Sequence, residues 1–539
     1  MTRQHLLEQL DKDDLFDLVV VGGGASGCGV ALDAASRGLK ILLVEKNDFA
    51  EGTSGRSTKL AHGGVRYLEK AIKQLDRSQY NLVRDGLRER GLLLENARHL
   101  VNRITLVTPI YRWIDVPYIF SGLKLYDLLS GRRHIGHSRL VSRAEALRRL
   151  PMLNREGLKA GVEYQDGQFH DARVNLGLAL TAQRQGALVI NHMAVSGFTR
   201  SAGKISAVTL VDQLTGTDRT VRTRGVVNAA GPFVDQVRKL DDPAAADLIT
   251  TSSGVHLVLD GRFAPPDTGL MIPKTEDGRV LFILPWEGHA LIGTTDEPAP
   301  LSEHPRPQDR DIDYLLRHVG RHFNVRITRA DIKATWSGLR PLVANPRAKD
   351  TAALARDHIL SASPTGLLSL AGGKWTTYRK MALDTVNHAI RMFSLAPSHP
   401  AGQTAHLALL GSADFDPLGG TVLAQRYHLD ADSAAHINRC YGDQADQVLE
   451  LGHTTASNRP LVAGHPCLEA QVIYGVRFEQ AQRAIDILAR RTSLAVLDTN
   501  AARLALPRVI ELMAAELGWN RQRCDAETRR TGTLLDEGI

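Results

Sequence analysis

Between Thr53 and Glu69 the sequence TSGRSTKLAHGGVRYLE places Arg56, Lys59, His62 and Arg66 within eleven positions. The residues between them are small, so the backbone can approach a flat ring while the cations surround an anionic ligand. His62 precedes Gly63 and Gly64, which makes its surroundings rich in backbone. Nearby Lys59 and Arg66 are expected to depress its pKa and favour neutral imidazole. Neutral imidazole is the form that can take a proton from a hydroxyl. The plainer reading of His62 is a structural histidine that bonds a loop. A second cluster, Trp336-Ser337-Gly338-Leu339-Arg340-Pro341-Leu342, presents one guanidinium on a constrained turn. It can bind a phosphate through two hydrogen bonds or form an ion pair between domains. A third, Gly372-Gly373-Lys374-Trp375-Thr376-Thr377, reads as a strand, a glycine turn and a helix start. A helix N-terminus aimed at a flat ring stabilises negative charge on that ring; the plainer reading is an ordinary capped helix. His256 is a second base candidate, although a half-buried strand histidine is more often structural. Asp296, at the end of Gly293-Thr294-Thr295-Asp296, touches a substrate or caps a turn, with the turn slightly favoured.

These groups need elements to position them. Asp17–Val21 reads as a buried strand, Ala25–Arg37 as a helix stopped by Gly38, and Lys40–Glu45 as a second strand. Between the first two lies Gly22-Gly23-Gly24-Ala25-Ser26-Gly27, a G-x-G-x-x-G run in the strand–loop–helix context of a dinucleotide site. Gly22 permits the tight turn, Gly24 lets a pyrophosphate approach the backbone, and Gly27 lets helix and strand pack closely. The exposed helix amides hold the phosphate charge. Glu45, ending the next strand, can accept hydrogen bonds from a ribose diol and repels a 2′-phosphate. Two features favour FAD over NAD: a later strand ends in the small-residue turn Asn228-Ala229-Ala230-Gly231-Pro232, and no second such fingerprint is placed to bind a nicotinamide dinucleotide.

The βαβ start points to a parallel sheet. Antiparallel signals follow at Ala207–Asp212, Gly254–Leu259, Val280–Leu284 and Ala290–Thr294. Parallel signals return near residue 370, and the chain is mostly helical from about Ala405. The expected fold is α/β: a discontinuous Rossmann-type FAD-binding domain (16–110, 160–250 and 335–396), an inserted antiparallel-sheet substrate domain facing the membrane (111–159 and 251–334), a C-terminal helical domain (405–539), and an N-terminal extension (1–15).

Of 539 residues, 43% are hydrophobic and 23% charged, the balance of a globular chain with a large core. The net charge of +7 suits an anionic substrate or lipid without choosing between them. The four cysteines are scattered without a CxxC pair, so neither a disulfide framework nor a zinc site is indicated. No run of about 20 apolar residues could span a bilayer, and the N-terminus lacks a signal-peptide stretch. Tyr111–Arg133 reads as a helix with Trp113, Tyr118, Ile119 and Phe120 beside Lys124, Arg132 and Arg133. That composition suits a helix lying on an anionic membrane surface or, with about equal support, a buried helix.

Taken together, GGGASGCGVALDAASRGL, STKLAHGGVRYLEKAI, NAAGP, LPWEGHALIGTTD, WSGLRPL and GGKWTTYRKMA resemble the FAD-dependent glycerol-3-phosphate dehydrogenases, within the wider D-amino-acid-oxidase-like flavoproteins. HGGVRYLE together with SGLRPL is the specific part. The resemblance implies hydride transfer from C2 of sn-glycerol 3-phosphate to flavin N5 and reoxidation by ubiquinone. It implies His62 as base, Arg66, Arg340 and Lys374 at the phosphate, and Tyr67 in the pocket, with His256 added as a substrate contact. The expected FAD contacts are Gly22, Gly23, Gly24, Ala25, Ser26, Gly27, Glu45, Lys46, Thr53, Ser54, Ser57, Lys59, Leu60, Ala61, His62, Gly63, Gly64, Ala230, Gly231, Arg340, Gly373, Lys374, Trp375, Thr376 and Thr377. No metal ligands are expected, and the D-x-[DN]-x-[DN]-G loop of the mitochondrial members' calcium-binding extension does not occur. The implied setting is the cytoplasmic face of the inner membrane, peripherally attached, as a homodimer with no nucleic-acid partner. An oxygen-using glycerol-3-phosphate oxidase, or an amine or amino-acid oxidase on the same fold, is the alternative.

Overall fold

The structure, a computed structural model, describes residues 2–64, 68, 76–344 and 358–538. In chain order the strands are β1 (Phe16–Val21), β2 (Ile41–Val44), β3 (Leu60–Ala61), β4 (Val101–Ile110), β5 (Arg139–Ser142), β6 (Ala160–Phe169), β7 (Leu188–Ile190), β8 (Met193–Ser201), β9 (Lys204–Asp212) and β10 (Asp218–Asn228). They continue as β11 (Ile249–Asp260), β12 (Thr268–Ile272), β13 (Leu281–Trp286), β14 (His289–Gly293), β15 (Glu297–Pro298), β16 (Ile332–Val343), β17 (His358–Ala362) and β18 (Leu367–Gly372).

The strands form two sheets. The first runs β17-β18-β10-β1-β2-β7, with β9 and β8 continuing from β10. From β18 to β7 all its pairs are parallel. β1 and β2, FDLVVV and ILLV, are apolar apart from Asp17 because both faces of this sheet are covered, one by helices and the other by the β8–β9–β10 strands with the N-terminal Arg3–Leu10 helix. Val21 pairs with both Asn228 and Val44, so three strands reach their carboxyl ends side by side. In an open α/β sheet, that edge is where ligands bind.

The Ala25–Ser36 helix is buried almost all round. Its small residues let it pack between the sheet and the helices Asp171–Arg184 and Tyr378–Met392. A Cβ at Gly29 would meet the Tyr378 ring at 2.9 Å.

The second sheet runs β15-β11-β14-β13-β12-β4-β6-β3, with β16 on β11 and β5 on β6. It is antiparallel except for the β12–β4 pair. β4, β6 and β16 belong to this second sheet, although they fall within the stretches assigned to nucleotide binding.

Beyond Gln403 the chain is helical, from Gly419–Tyr427 to Arg521–Glu537, around two apolar clusters. Buried ion pairs clasp this region to the first sheet's layer. Arg173 meets Glu479 at 2.8 Å, and Asp48 meets Arg491 at 2.6 Å and Arg490 at 2.5 Å. Among the described residues, no helix is long and apolar enough to cross a membrane.

Candidate active site

The glycine loop leaves β1 where its neighbours end. Gly22 has φ 111°, and a Cβ there would meet the carbonyl oxygen of Ala229 at 2.6 Å. A Cβ at Gly27 would overlap the carbonyl of Gly22, so helix and strand come together only without side chains. Glu45 accepts from the Gly23 N–H at 2.5 Å and from the Asn47 N–H at 2.9 Å. Burial raises the Glu45 pKa, against the lowering effect of those two amides.

A cavity of about 580 Å3 opens along this edge and continues to the second sheet. Of the residues singled out by sequence, it gathers Gly22, Gly24, Ala25, Ser26, Glu45, Lys46, Thr53, Ser54, Ser57, Leu60, His62, Ala230, Gly231, His256, Arg340, Gly373, Lys374, Trp375 and Thr376. Gly23, Gly27, Lys59, Ala61, Gly63, Gly64 and Thr377 are not on its wall. Arg66 and Tyr67 lie outside the described residues. Residues that sequence reasoning missed also line it, among them Asn47, Met193, Val195 and Gln236. Met193–Val195 follows the carboxyl end of β7, so the parallel-sheet rule could have found that part of the wall.

Three segments are knitted together at the far end. The Ser54 hydroxyl accepts from the Ala25 N–H at 2.9 Å, the Trp375 indole donates to the Ser54 carbonyl at 2.9 Å, and the Thr53 hydroxyl donates to the Leu339 carbonyl at 2.5 Å. His62 is half-buried. Its backbone N–H donates to the Thr376 hydroxyl at 3.2 Å, and its ring lies 6.5 Å from that of Phe282. The next amide, Gly63 N–H, donates to the Tyr126 hydroxyl at 2.8 Å. Tyr126 in turn donates to Asp166 at 3.1 Å, and Arg90 holds Asp166 at 2.9 Å. The loop that carries His62 is thus fixed by a buried network that nothing in its own sequence announces.

Two expectations about cations are corrected. Lys59 does not face an anionic ligand. Its ammonium is 1% exposed, pairs with Asp171 at 2.6 Å, donates to the Gly55 carbonyl, and sits over the rings of Trp286 and Trp336. Burial lowers its pKa, against the effect of Asp171. Arg56 borders the cavity, but its guanidinium donates to the carbonyls of Glu51 and Ser337. Burial brings its pKa down to about 10. Both groups trade water for fixed partners, which a reading of local spacing could not anticipate.

Arg340 projects from β16 across β11. It donates to the Thr295 carbonyl at 3.0 Å, the Thr294 hydroxyl at 3.1 Å, Asp296 at 3.2 Å and the Ser253 carbonyl at 3.3 Å. Asp296 is therefore a partner of this guanidinium rather than simply a turn cap. His256 is 2% exposed and stacks on Trp336 at 4.0 Å, and its Nε2 meets the Thr58 hydroxyl at 2.9 Å. Burial, then the charges of Arg340 and Lys59, hold its pKa well below the usual histidine value, so the ring is neutral.

Residues 17–379 match the family described as FAD dependent oxidoreductase, and residues 402–524 match the C-terminal domain of alpha-glycerophosphate oxidase. The chain is 44% identical to the human mitochondrial glycerol-3-phosphate dehydrogenase over 554 residues, covering 100% of this chain and 76% of that protein. The chain belongs to the FAD-dependent glycerol-3-phosphate dehydrogenase family. An Arabidopsis thaliana member is 43% identical across 97% of this chain and 86% of its own length. The crystal structure of the glycerol-3-phosphate dehydrogenase from Bacillus halodurans, complexed with FAD, superposes with a TM-score of 0.81 at 30% identity, covering 99% of this chain and 97% of that one. Membership accounts for the two-sheet architecture, the helical C-terminal domain and the glycine cradle as parts of one FAD-dependent oxidoreductase.

Proposed function

We propose that the chain oxidises the C2 hydroxyl of sn-glycerol 3-phosphate to dihydroxyacetone phosphate and passes the two electrons to ubiquinone. The observation that carries this reading is one continuous cavity in a chain of this family. It leads from a glycine cradle to a wall bearing His62, His256, Arg340 and Lys374.

The residues present fit FAD. A side chain at Gly22 or Gly27 would close the cradle, the N-cap residue of the helix at Ala25 is Gly24 and supplies no side-chain cap, and Glu45 stands at the end of the adjacent strand. Gly22–Ser26 would hold the pyrophosphate, Glu45 the ribose, and the Gly373–Thr376 turn the ring. When bound, FAD supplies the acceptor for the hydride from substrate C2.

The chain's own residues do the rest. Arg340 and Lys374, with Arg66 as a third candidate, neutralise the substrate phosphate. Arg340 is already held by two carbonyls, the Thr294 hydroxyl and Asp296, so its charge is positioned before substrate arrives, and a phosphate would exchange for one of these partners. His62 takes the C2 hydroxyl proton, with its position set from below by Thr376 and Tyr126. His256, kept neutral, offers a hydrogen bond rather than a second positive charge.

Quinone reduction requires contact with a membrane. The Asp115–Leu129 helix buries Leu123 and Tyr126, packs Ile119 and Phe120 against the core, and leaves Tyr118 and Leu128 more than half exposed, as are Trp113 and Ile114 just before it. This arrangement favours a surface-lying helix over a buried one, which supports peripheral attachment to a membrane; the setting proposed for it is the cytoplasmic face of an inner membrane.

The test is turnover of purified holoenzyme with sn-glycerol 3-phosphate, measuring dihydroxyacetone phosphate with a soluble ubiquinone analogue or with air. Faster turnover with the quinone supports the proposal. Faster turnover with oxygen, with stoichiometric peroxide, makes the chain an oxidase.

A further inference from the structure

Where the Asp115–Leu129 helix ends, the chain turns through Gly131–Arg133 and reaches β5 by way of His134-Ile135-Gly136-His137-Ser138. Here Nε2 of His134 faces Nδ1 of His137 at 3.1 Å. One ligand atom from each of Asp127, His134 and His137 lies within 4.8 Å of the other two. Two nitrogens bound to one tetrahedral zinc at about 2.05 Å stand about 3.3 Å apart, close to the observed separation. Two imidazoles and a carboxylate are a donor set that zinc prefers, with a fourth position left to water.

The set is held in advance. Asp127 accepts from the Ser138 N–H at 2.7 Å and from the Ser138 hydroxyl at 2.9 Å, which orients its carboxylate and leaves acceptor positions for a metal. Arg103 donates to the Ile135 carbonyl at 2.8 Å, and a Cβ at Gly136 would meet the Gln165 side chain at 2.5 Å, so the loop between the two histidines is pinned on both sides. The neighbouring cations have partners of their own: Arg133 pairs with Glu95 at 3.2 Å and Arg90 with Asp166 at 2.9 Å, while the Lys124 ammonium lies over the Phe120 ring.

We propose that Asp127, His134 and His137 form a zinc site that clamps the carboxyl end of the Asp115–Leu129 helix to the loop leading into β5. The site is independent of the FAD cavity, and its failure would leave the proposed reaction untouched. Zinc there would stiffen the base of the helix whose other end exposes Trp113, Ile114 and Tyr118.

The untagged full-length holoenzyme, freed of metal by chelator, is titrated with zinc chloride against a chromophoric chelator, and separately with cobalt(II) read by visible absorption. The expected result is one metal per chain, with a cobalt spectrum of low coordination number. Amide exchange should slow in the last turn of the helix and across residues 131–138. His134→Ala/His137→Ala and the milder His137→Gln should each weaken zinc binding by at least about tenfold, and Ser138→Ala, which removes the hydroxyl orienting Asp127, by about tenfold. Each variant is compared at equal flavin content. No uptake by the unmodified chain would leave His134 and His137 as a hydrogen-bonded pair only and overturn the proposal. Uptake equal in the unmodified chain and both histidine variants would place the metal elsewhere, such as at the buried Asp48, His192 and Asp486, and overturn it as well.

Discussion

Replacing Arg340 separates a phosphate-binding guanidinium from a structural one. Its observed partners are two carbonyls, one hydroxyl and Asp296, and the pair is about one-fifth exposed. An ion pair at that exposure contributes about 1 kcal/mol or less to stability, so Arg340→Ala should remain folded and keep its flavin. A charge-assisted hydrogen bond to phosphate contributes about 1.5–3 kcal/mol, equivalent to roughly 10- to 150-fold in affinity. Arg340→Ala should therefore raise KM for sn-glycerol 3-phosphate toward the upper part of that range. Arg340→Lys keeps a charge but loses the planar group's set of fixed partners, and should fall nearer the lower end. The assay is kcat/KM for sn-glycerol 3-phosphate and for glycerol, which lacks the phosphate. The ratio between the two substrates should collapse in Arg340→Ala. Asp296→Asn is the control, because it removes the ion pair and leaves the guanidinium, and it should change the ratio by no more than about threefold. An unchanged ratio in Arg340→Ala, or an equal loss in Asp296→Asn, would refute the reasoning and leave Arg340 as a strut between β11 and β16.

Two further outcomes follow from named contacts. His62→Ala should retain flavin and lower kcat by about 10²- to 10⁴-fold, the usual contribution of a general base; stopped-flow reduction at saturating substrate measures it, and near-normal reduction would reassign the base. His170 accepts from the Arg173 N–H through Nδ1 and meets the Ser493 hydroxyl through Nε2, and burial brings its pKa down from 6.5 to about 4. The unfolded chain thus binds this proton first as pH falls, so stability is full above pH 6.5 and is lost progressively toward pH 4. This amounts to about 3 kcal/mol over the window. Urea midpoints at pH 7 and pH 5 should differ less in His170→Gln than in the unmodified chain, and an identical pH dependence would contradict this.

Much of the nucleotide half was legible because its signals are local. The alternation of strand, glycine turn and helix around Gly22–Gly27 needs no distant partner, and Glu45 follows from the next strand's end. The site was legible where backbone demands single out residue types, as at Gly372-Gly373 beside the Lys374–Thr376 turn, whose glycines have φ 78° and 90°. It was not legible where charge is neutralised at long range. Lys59 and Asp171 stand 112 positions apart, and Asp48 and Arg491 stand 443 apart. From spacing alone a lysine beside a loop histidine looks like an electrostatic partner; in the fold it is buried behind two tryptophans. The same limit hid the Tyr126–Asp166–Arg90 network beneath Gly63.

The central claim is that this cavity holds FAD where sn-glycerol 3-phosphate can reduce it. The direct measurement is anaerobic mixing of purified holoenzyme with sn-glycerol 3-phosphate while the oxidised flavin absorbance is followed. The account predicts rapid, complete bleaching, with one dihydroxyacetone phosphate formed per flavin. A bound flavin that keeps its oxidised spectrum with this substrate, or bleaches only with an amine, would contradict it.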